Sequence, residues 1–262
     1  MSTRPSVASL MYHEVTDDPT TSGFQRSGAL AYKHTVAAFE AHLAQIAAAT
    51  GHPVLVSDLD LTRPGHHLLL TFDDGGKSAL TAAALLAQRG WKGHFFIVTS
   101  LIGDRTFLDA AGIRALHAAG HVIGSHSHTH PNIFRDQAPS RMLEEWRVSA
   151  DIMAQLTGAP CLTASVPGGD ISARVLESAD AAGIRYLFTS EPWLAPGRVG
   201  ACAVLGRYSV KLSTSPARIG ALVRFHGWRR AAFRRRLKVW ATRALPPLYG
   251  LYVRARTRNA GT

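Results

Sequence analysis

The chain has 262 residues, of which 46% are hydrophobic and 18% charged, with mean hydropathy near zero. That is the composition of a globular protein long enough to bury a full α/β core. No stretch reaches the roughly 18 consecutive apolar residues of a spanning helix, and two cysteines, Cys161 and Cys202, are too few for a disulfide framework and read as buried small hydrophobes. The formal charge of +11 is uneven: residues 1–191 hold 14 Lys and Arg against 18 Asp and Glu, a net of −4, whereas residues 192–262 hold 15 Lys and Arg and no acid, a net of +15. The basic pI therefore describes the C-terminal segment, not the body.

The N-terminus lacks a basic start followed by a long apolar run, and His13 and Glu14 interrupt the apolar stretch near Leu10. The expectation is a chain without a cleavable leader, cytoplasmic or peripheral at the inner membrane face. Residues 7–13 read as a buried strand and 16–33 as a polar loop. Thr35 can cap a helix through Phe39, Leu43 and Ile46 that closes at Gly51.

From there strands and helices alternate. Strands are predicted at 67–72, 94–99, 121–125, 162–166, 184–189 and 204–210. Helices are predicted at 78–88, 109–119, 140–157 and 172–182, closed by Gly90, Gly120, Gly158 and Gly183. Repeated βα units argue for a parallel sheet, in a number that suits a closed or nearly closed barrel. Ser215-Pro216 then offers a cap and first residue for a basic helix to about Ala244, which Gly227 can break and Pro246-Pro247 stops. The organisation expected is a barrel domain over 1–212 followed by a basic amphipathic helical tail over 213–262.

Two motifs stand at strand ends. In Thr71-Phe72-Asp73-Asp74-Gly75, adjacent acids after an apolar strand are costly unless a cation compensates them. Strand alternation would point the two in different directions. In His126-Ser127-His128-Thr129-His130, the imidazoles four apart would share one face of a helical turn. Two His and one carboxylate make a usual catalytic metal shell with room for water. Either motif alone reads as a turn or a surface coincidence; together, each after a strand, they are far more specific.

These residues carry a family likeness. The chain resembles, over roughly residues 8–190, the polysaccharide deacetylases of NodB homology, carbohydrate esterase family 4, whose signatures are Thr-Phe-Asp-Asp-Gly and His-(Ser/Thr)-x-x-His. The resemblance implies an irregular (β/α) barrel, Asp73 as general base, and Asp74, His126 and His130 as metal ligands. The family's Leu-x-x-His general acid matches Leu10-Met11-Tyr12-His13, here at the N-terminus, an order similar to that of the biofilm poly-N-acetylglucosamine deacetylases. His13 is thus the expected acid and His226 its competitor. The family's Arg-x-Pro is not kept: Ser165-Val166-Pro167-Gly168-Gly169 has Ser where the Arg that steadies the base would stand. A backbone N–H near Pro167 and Gly168 could still face an oxyanion, and Trp193 could stack on a sugar.

The implied chemistry is removal of acetyl groups from an N-acetylated sugar or polysaccharide. Water is activated on one divalent metal, Asp73 takes the proton, and His13 protonates the leaving amine. The mixed N/O shell suits zinc and also accepts cobalt, nickel or iron. Expected partners are an N-acetylated glycan or lipid-linked sugar, and an anionic membrane surface through the basic tail; no recognition motif supports nucleic acid. The competing reading is a degraded carbohydrate-binding or membrane-surface scaffold, which the missing Arg favours.

Overall fold

A computed structural model of the chain describes residues 4–49, 51–169 and 171–244, with side chains described as far as Leu237. Trp240 as a side chain, Pro246-Pro247 and the tail beyond lie outside the described residues. The first half runs β1 (Pro5–Tyr12), β2 (Glu14–Val15), β3 (Lys33–His34), α1 (Val36–Ala47), β4 (Gly65–Phe72), α2 (Ala79–Ala87), β5 (His94–Ile97), α3 (Ala110–Ala118) and β6 (Val122–Ser125). The second half runs α4 (Pro139–Thr157), β7 (Thr163–Ser165), α5 (Ala173–Ala181), β8 (Tyr186–Phe188), β9 (Gly197–Val199), β10 (Cys202–Leu205), β11 (Tyr208–Ser209), α6 (Pro216–Val223) and α7 (Trp228–Ala244).

Nine strands make one sheet in the order β11-β1-β4-β5-β6-β7-β8-β10-β9, every described pairing parallel except β10 with β9. The sheet curls into a half-barrel. No ladder joins β11 to β9 among the described residues, so the barrel is open.

Alternation along the strands builds two cores. In β1 and β4 the residues Ala8, Leu10, Tyr12, Leu68, Leu70 and Phe72 meet Phe39, Leu43 and Ile46 of α1. Intervening Val7 and Leu69 join Phe96, Phe188 and Leu205 in a second cluster. Strands buried on both faces read as continuous apolar runs, which is why these segments were legible. The expected caps Thr35 and Ser215 each accept a backbone N–H at their helix starts, as do Asp109 and Ser172.

Three local expectations are corrected. Helix α1 does not reach Gly51: the Ala49 N–H turns to the Ile46 carbonyl (3.0 Å), a tighter bond that ends the α-helix at Ala47. The run 204–210 is two strands, because the Arg207 N–H bonds the Glu191 carbonyl (2.9 Å) instead of a strand partner. The short β9 was not anticipated. The boundary drawn at 212 is also no edge of the core. Ile219, Leu222, Val223 and Trp228 belong to the main hydrophobic cluster, and α6 packs on α1.

Candidate active site

The chemistry-bearing side chains stand where parallel strands end. His13 follows β1, Asp73 and Asp74 follow β4, His126 follows β6, and Gly168 lies beyond β7. All five line one cleft of about 760 Å³ together with His130. This end of a parallel sheet is the usual place for a site, because the loops there are free to vary over a rigid scaffold.

Asp74, His126 and His130 present ligand atoms that all lie within 4.8 Å of one another. The Asp74 Oδ1 is 3.3 Å from His126 Nε2 and 3.8 Å from His130 Nε2. Nδ1 of His126 donates to the Ser165 carbonyl (2.9 Å), which fixes the tautomer and leaves Nε2 free to coordinate. The pair is not on a helix, contrary to the sequence expectation. The chain from His126 to Pro131 is irregular, and α4 starts only at Pro139. Left-handed backbone at Ser127 (φ 64°) and His130 (φ 52°) turns the second imidazole back instead. Asp74 is also left-handed (φ 80°). Such conformations cost on the order of 1–3 kcal/mol each in non-glycine residues and collect at functional sites. Gly75 (φ 78°) follows, where a Cβ would sit 3.0 Å from Ile97, so the turn demands glycine there.

Contacts from α4 hold this loop. Glu145 of α4, buried, accepts from the Thr129 N–H (2.7 Å) and hydroxyl (2.6 Å) and pairs with Arg141 (2.8 Å). His128 points away from the triad, with its Nδ1 2.9 Å from the Thr99 hydroxyl. His94 is structural, its ring bonded to the Leu70 carbonyl and the Val56 N–H.

Asp73 occupies a different environment. Arg207, fully buried, grips it with two bonds, Nη1 to Oδ1 (2.6 Å) and Nη2 to Oδ2 (2.9 Å). The Ser165 hydroxyl donates to the same carboxylate (3.1 Å) and accepts from Arg207 Nη2 (2.7 Å). Nε of Arg207 donates to the Thr189 carbonyl (2.9 Å), and its Cζ lies 5.6 and 5.9 Å from the ring centres of Phe96 and Phe188. The guanidinium missing at Ser165 thus arrives from beyond β10, and a small residue at 165 leaves room for it. Sequence reasoning missed Arg207. The available signal was an arginine inside the apolar run Val204–Val210, where an unpaired charge would be untenable.

These contacts set the charge states. Burial raises the Asp73 pKa, but Arg207 and then His126 outweigh it and hold the carboxyl below its usual range. Asp74 is likewise held low against burial, chiefly by a hydrogen bond from His126 and by its electrostatic interaction with the neighbouring histidines. His130 is pushed down to about 3, chiefly by burial, and so is neutral, as a ligand must be. His13 is lowered by burial and pulled back up by Asp74 and Asp73; its ring packs on Tyr32 at 4.6 Å, and its Nδ1 has no partner among the described residues.

Three other expected residues fall differently. His226 is exposed in the turn between α6 and α7 and does not line the cleft. Trp193 packs over Gly206, and Pro167 is buried beneath the loop; neither lines the cleft, whereas Gly168 does. Cys161 and Cys202 are free and buried.

Residues 60–187 match the family model described as polysaccharide deacetylase. A sequence search of curated proteins finds no match. Among solved structures, a polysaccharide deacetylase from Bacillus cereus is similar (17% identity, TM-score 0.72, covering 85% of this chain and 70% of that one). So are the Streptococcus pyogenes deacetylase PplD in complex with acetate (19%, 0.70, covering 83% and 97%) and IcaB from Ammonifex degensii (18%, 0.68, covering 84% and 97%). At these identities the neighbours establish the fold. The matched segment, just under half of the chain, carries the polysaccharide deacetylase pattern on this fold.

Proposed function

We propose that the chain is a metal-dependent deacetylase that removes the acetyl group from an N-acetylated sugar, free, lipid-linked or within a polysaccharide. The observation that carries this reading is the division of labour between two adjacent acids. Asp74 joins two imidazoles in a cluster of metal-ligand geometry, while Asp73 is kept out of it by a bidentate arginine. The donor set, two imidazole nitrogens and one carboxylate, fits a catalytic divalent metal, with zinc first and cobalt, nickel or iron accepted. When bound, such a metal lowers the pKa of water and polarises a carbonyl.

The chain's own residues do the rest. Asp73, ionised and aimed by Arg207 and Ser165, takes the proton of the attacking water at its carboxylate oxygen. Gly168 lies on the cleft wall, and its N–H serves the oxyanion of the tetrahedral intermediate. His13, on the cleft wall beside both carboxylates, delivers a proton to the leaving nitrogen. An amine is a poor leaving group, so an amide substrate needs this acid more than an ester does.

The test is acetate release from N-acetylglucosamine oligomers together with metal content. Wild type should carry about one metal per chain, as a three-ligand site requires. Asp73→Asn should keep the metal and lose turnover, and His130→Ala should lose both. A wild-type protein that binds no divalent metal at neutral pH would sink the reading.

A further inference from the structure

The cleft has a cationic wall that the chemistry above does not use. Arg230 and Arg234 of α7 line it, one helical turn apart, with Arg218 at the start of α6 and Lys211 and Arg26 on loops. The acids that line it are Glu14, Asp73 and Asp74. Each is already engaged, with Ser22 and Ser78, with Arg207 and with the imidazoles respectively. Arg218 donates to the Gly227 carbonyl, Arg26 to Asn132, and Lys211 lies over Tyr32. None of these contacts neutralises a charge. Arg230 and Arg234 have no carboxylate partner among the described residues, and residues 192–262 contain no acid that could serve. Like charges four apart destabilise a helix, so the arrangement calls for an anion.

The wall is also held in place. Arg235 bonds Glu191 (2.8 Å) and the Gly169 carbonyl (2.9 Å), which pins α7 to the loops beyond β7 and β8. The approach to the cleft is apolar. Among the described residues six large hydrophobic side chains are exposed, and four of them, Leu30, Leu212, Phe233 and Leu237, fall in the segments that supply the lining residues Ala29, Tyr32, Lys211, Ser213 and Arg234. The Leu212 N–H bonds the Ala31 carbonyl (2.9 Å), so two of these loops form one rim. On α7, Phe233 and Leu237 (69% and 55% exposed) make a stripe next to the arginine stripe.

We propose that the deacetylated sugar is borne on a lipid through a phosphate or diphosphate. Arg230, Arg234, Arg218 and Lys211 hold the phosphate, and Leu30, Leu212, Phe233 and Leu237 enter the membrane surface from which the lipid rises. This rests on the deacetylase reading and narrows its substrate. A neutral glycan chain would use neither feature, and a soluble sugar nucleotide would use the cations but not the apolar rim.

The experiment measures acetate release by the full chain from neutral N-acetylglucosamine oligomers, from uridine diphosphate N-acetylglucosamine, and from lipid diphosphate N-acetylglucosamine in phosphatidylcholine vesicles. Binding of the same three is measured separately. The lipid-linked sugar should show the highest kcat/KM. In Arg230→Gln/Arg234→Gln the ratio of phosphorylated to neutral substrate should fall about tenfold or more, the size of a lost charge-assisted contact. In Leu212→Ser/Phe233→Ser the ratio of lipid-linked substrate to nucleotide should fall, together with co-sedimentation on the vesicles. Neutral oligomers turned over best, a nucleotide turned over as well as the lipid, or an arginine variant that lowers all three alike would each overturn the proposal. If no substrate releases acetate, the deacetylase reading fails. The ligand class then stands only if wild type binds the lipid-linked sugar and the arginine variant does not, and falls otherwise.

Discussion

Replacing Arg207 by Met removes the partner of a buried carboxylate and leaves the packing against Phe96 and Phe188 largely filled. Asp73 then keeps the Ser165 hydroxyl and, 3.9 Å away, His126 Nε2. Breaking a buried pair by removing one member costs about 3–5 kcal/mol, a large share of the roughly 5–15 kcal/mol that stabilises an ordinary domain. The same change leaves burial as the leading influence on Asp73, so its pKa climbs above the usual carboxylate range instead of lying below it. Two readouts follow. In urea the midpoint should fall at neutral pH. Because Asp73 is held low in the fold, its pairing stabilises above about pH 3.9 and is lost as pH falls through the folded value; the variant should therefore lose less on acidification than wild type. In the pH profile of kcat/KM the acidic limb should move up, and turnover at pH 7 should drop by about 10²–10⁴, the usual worth of a general base. Asp73→Asn/Arg207→Met should be more stable than Arg207→Met, since position 73 then carries no carboxylate stripped of its arginine. Ser165→Arg/Arg207→Ala should restore part of the activity by moving the guanidinium to the other strand. An Arg207→Met protein with the wild-type urea midpoint and acidic limb would refute the assignment.

Further outcomes come from the surrounding contacts. His13→Gln should lower hydrolysis of an acetamide by about 10²-fold or more and of an O-acetyl ester far less; equal losses would remove His13 as the acid. Glu145→Gln weakens the hold on Thr129 and should cut metal affinity about 10–100-fold, read by competition with a chelator, while metal-free stability changes less. Zinc at about 100 times its Kd should raise unfolding free energy by about 2.7 kcal/mol in wild type and by nothing in Asp74→Asn/His130→Ala. Glu14 is raised to about 7, chiefly by burial, against hydrogen bonds from Ser22 and Ser78. A raised carboxyl costs no stability below the unfolded value near 4.5 and its full cost above 7. The stability of Glu14→Gln relative to wild type should therefore grow by about 3 kcal/mol between pH 4.5 and 8. A constant difference across that range would show that Glu14 ionises normally.

The alternation of strand and helix, the caps at Thr35, Asp109, Ser172 and Ser215, and the candidate ligands Asp74, His126 and His130 were all present in local sequence. Each depends on a few neighbouring residues: an apolar run buried on both faces, a hydroxyl or carboxylate before a helix, a pair of motifs at strand ends. His13 was legible from its motif, although nothing local tied it to Asp73, some 60 positions away. Only the tertiary structure decided how the two imidazoles converge, because left-handed turns at Ser127 and His130 replaced the expected helical turn. It also decided which arginine meets Asp73. A pairing across 134 positions leaves no periodic trace, and the empty place at Ser165 becomes intelligible only when β7 and the end of β10 are seen to face the same carboxylate. The basic C-terminal helix shows the same division. Its charge was plain in composition, but whether those arginines meet solvent or wall a cleft was set by Arg235 reaching Glu191 and the Gly169 carbonyl, contacts that form only once the loops beyond β7 and β8 are brought beside α7.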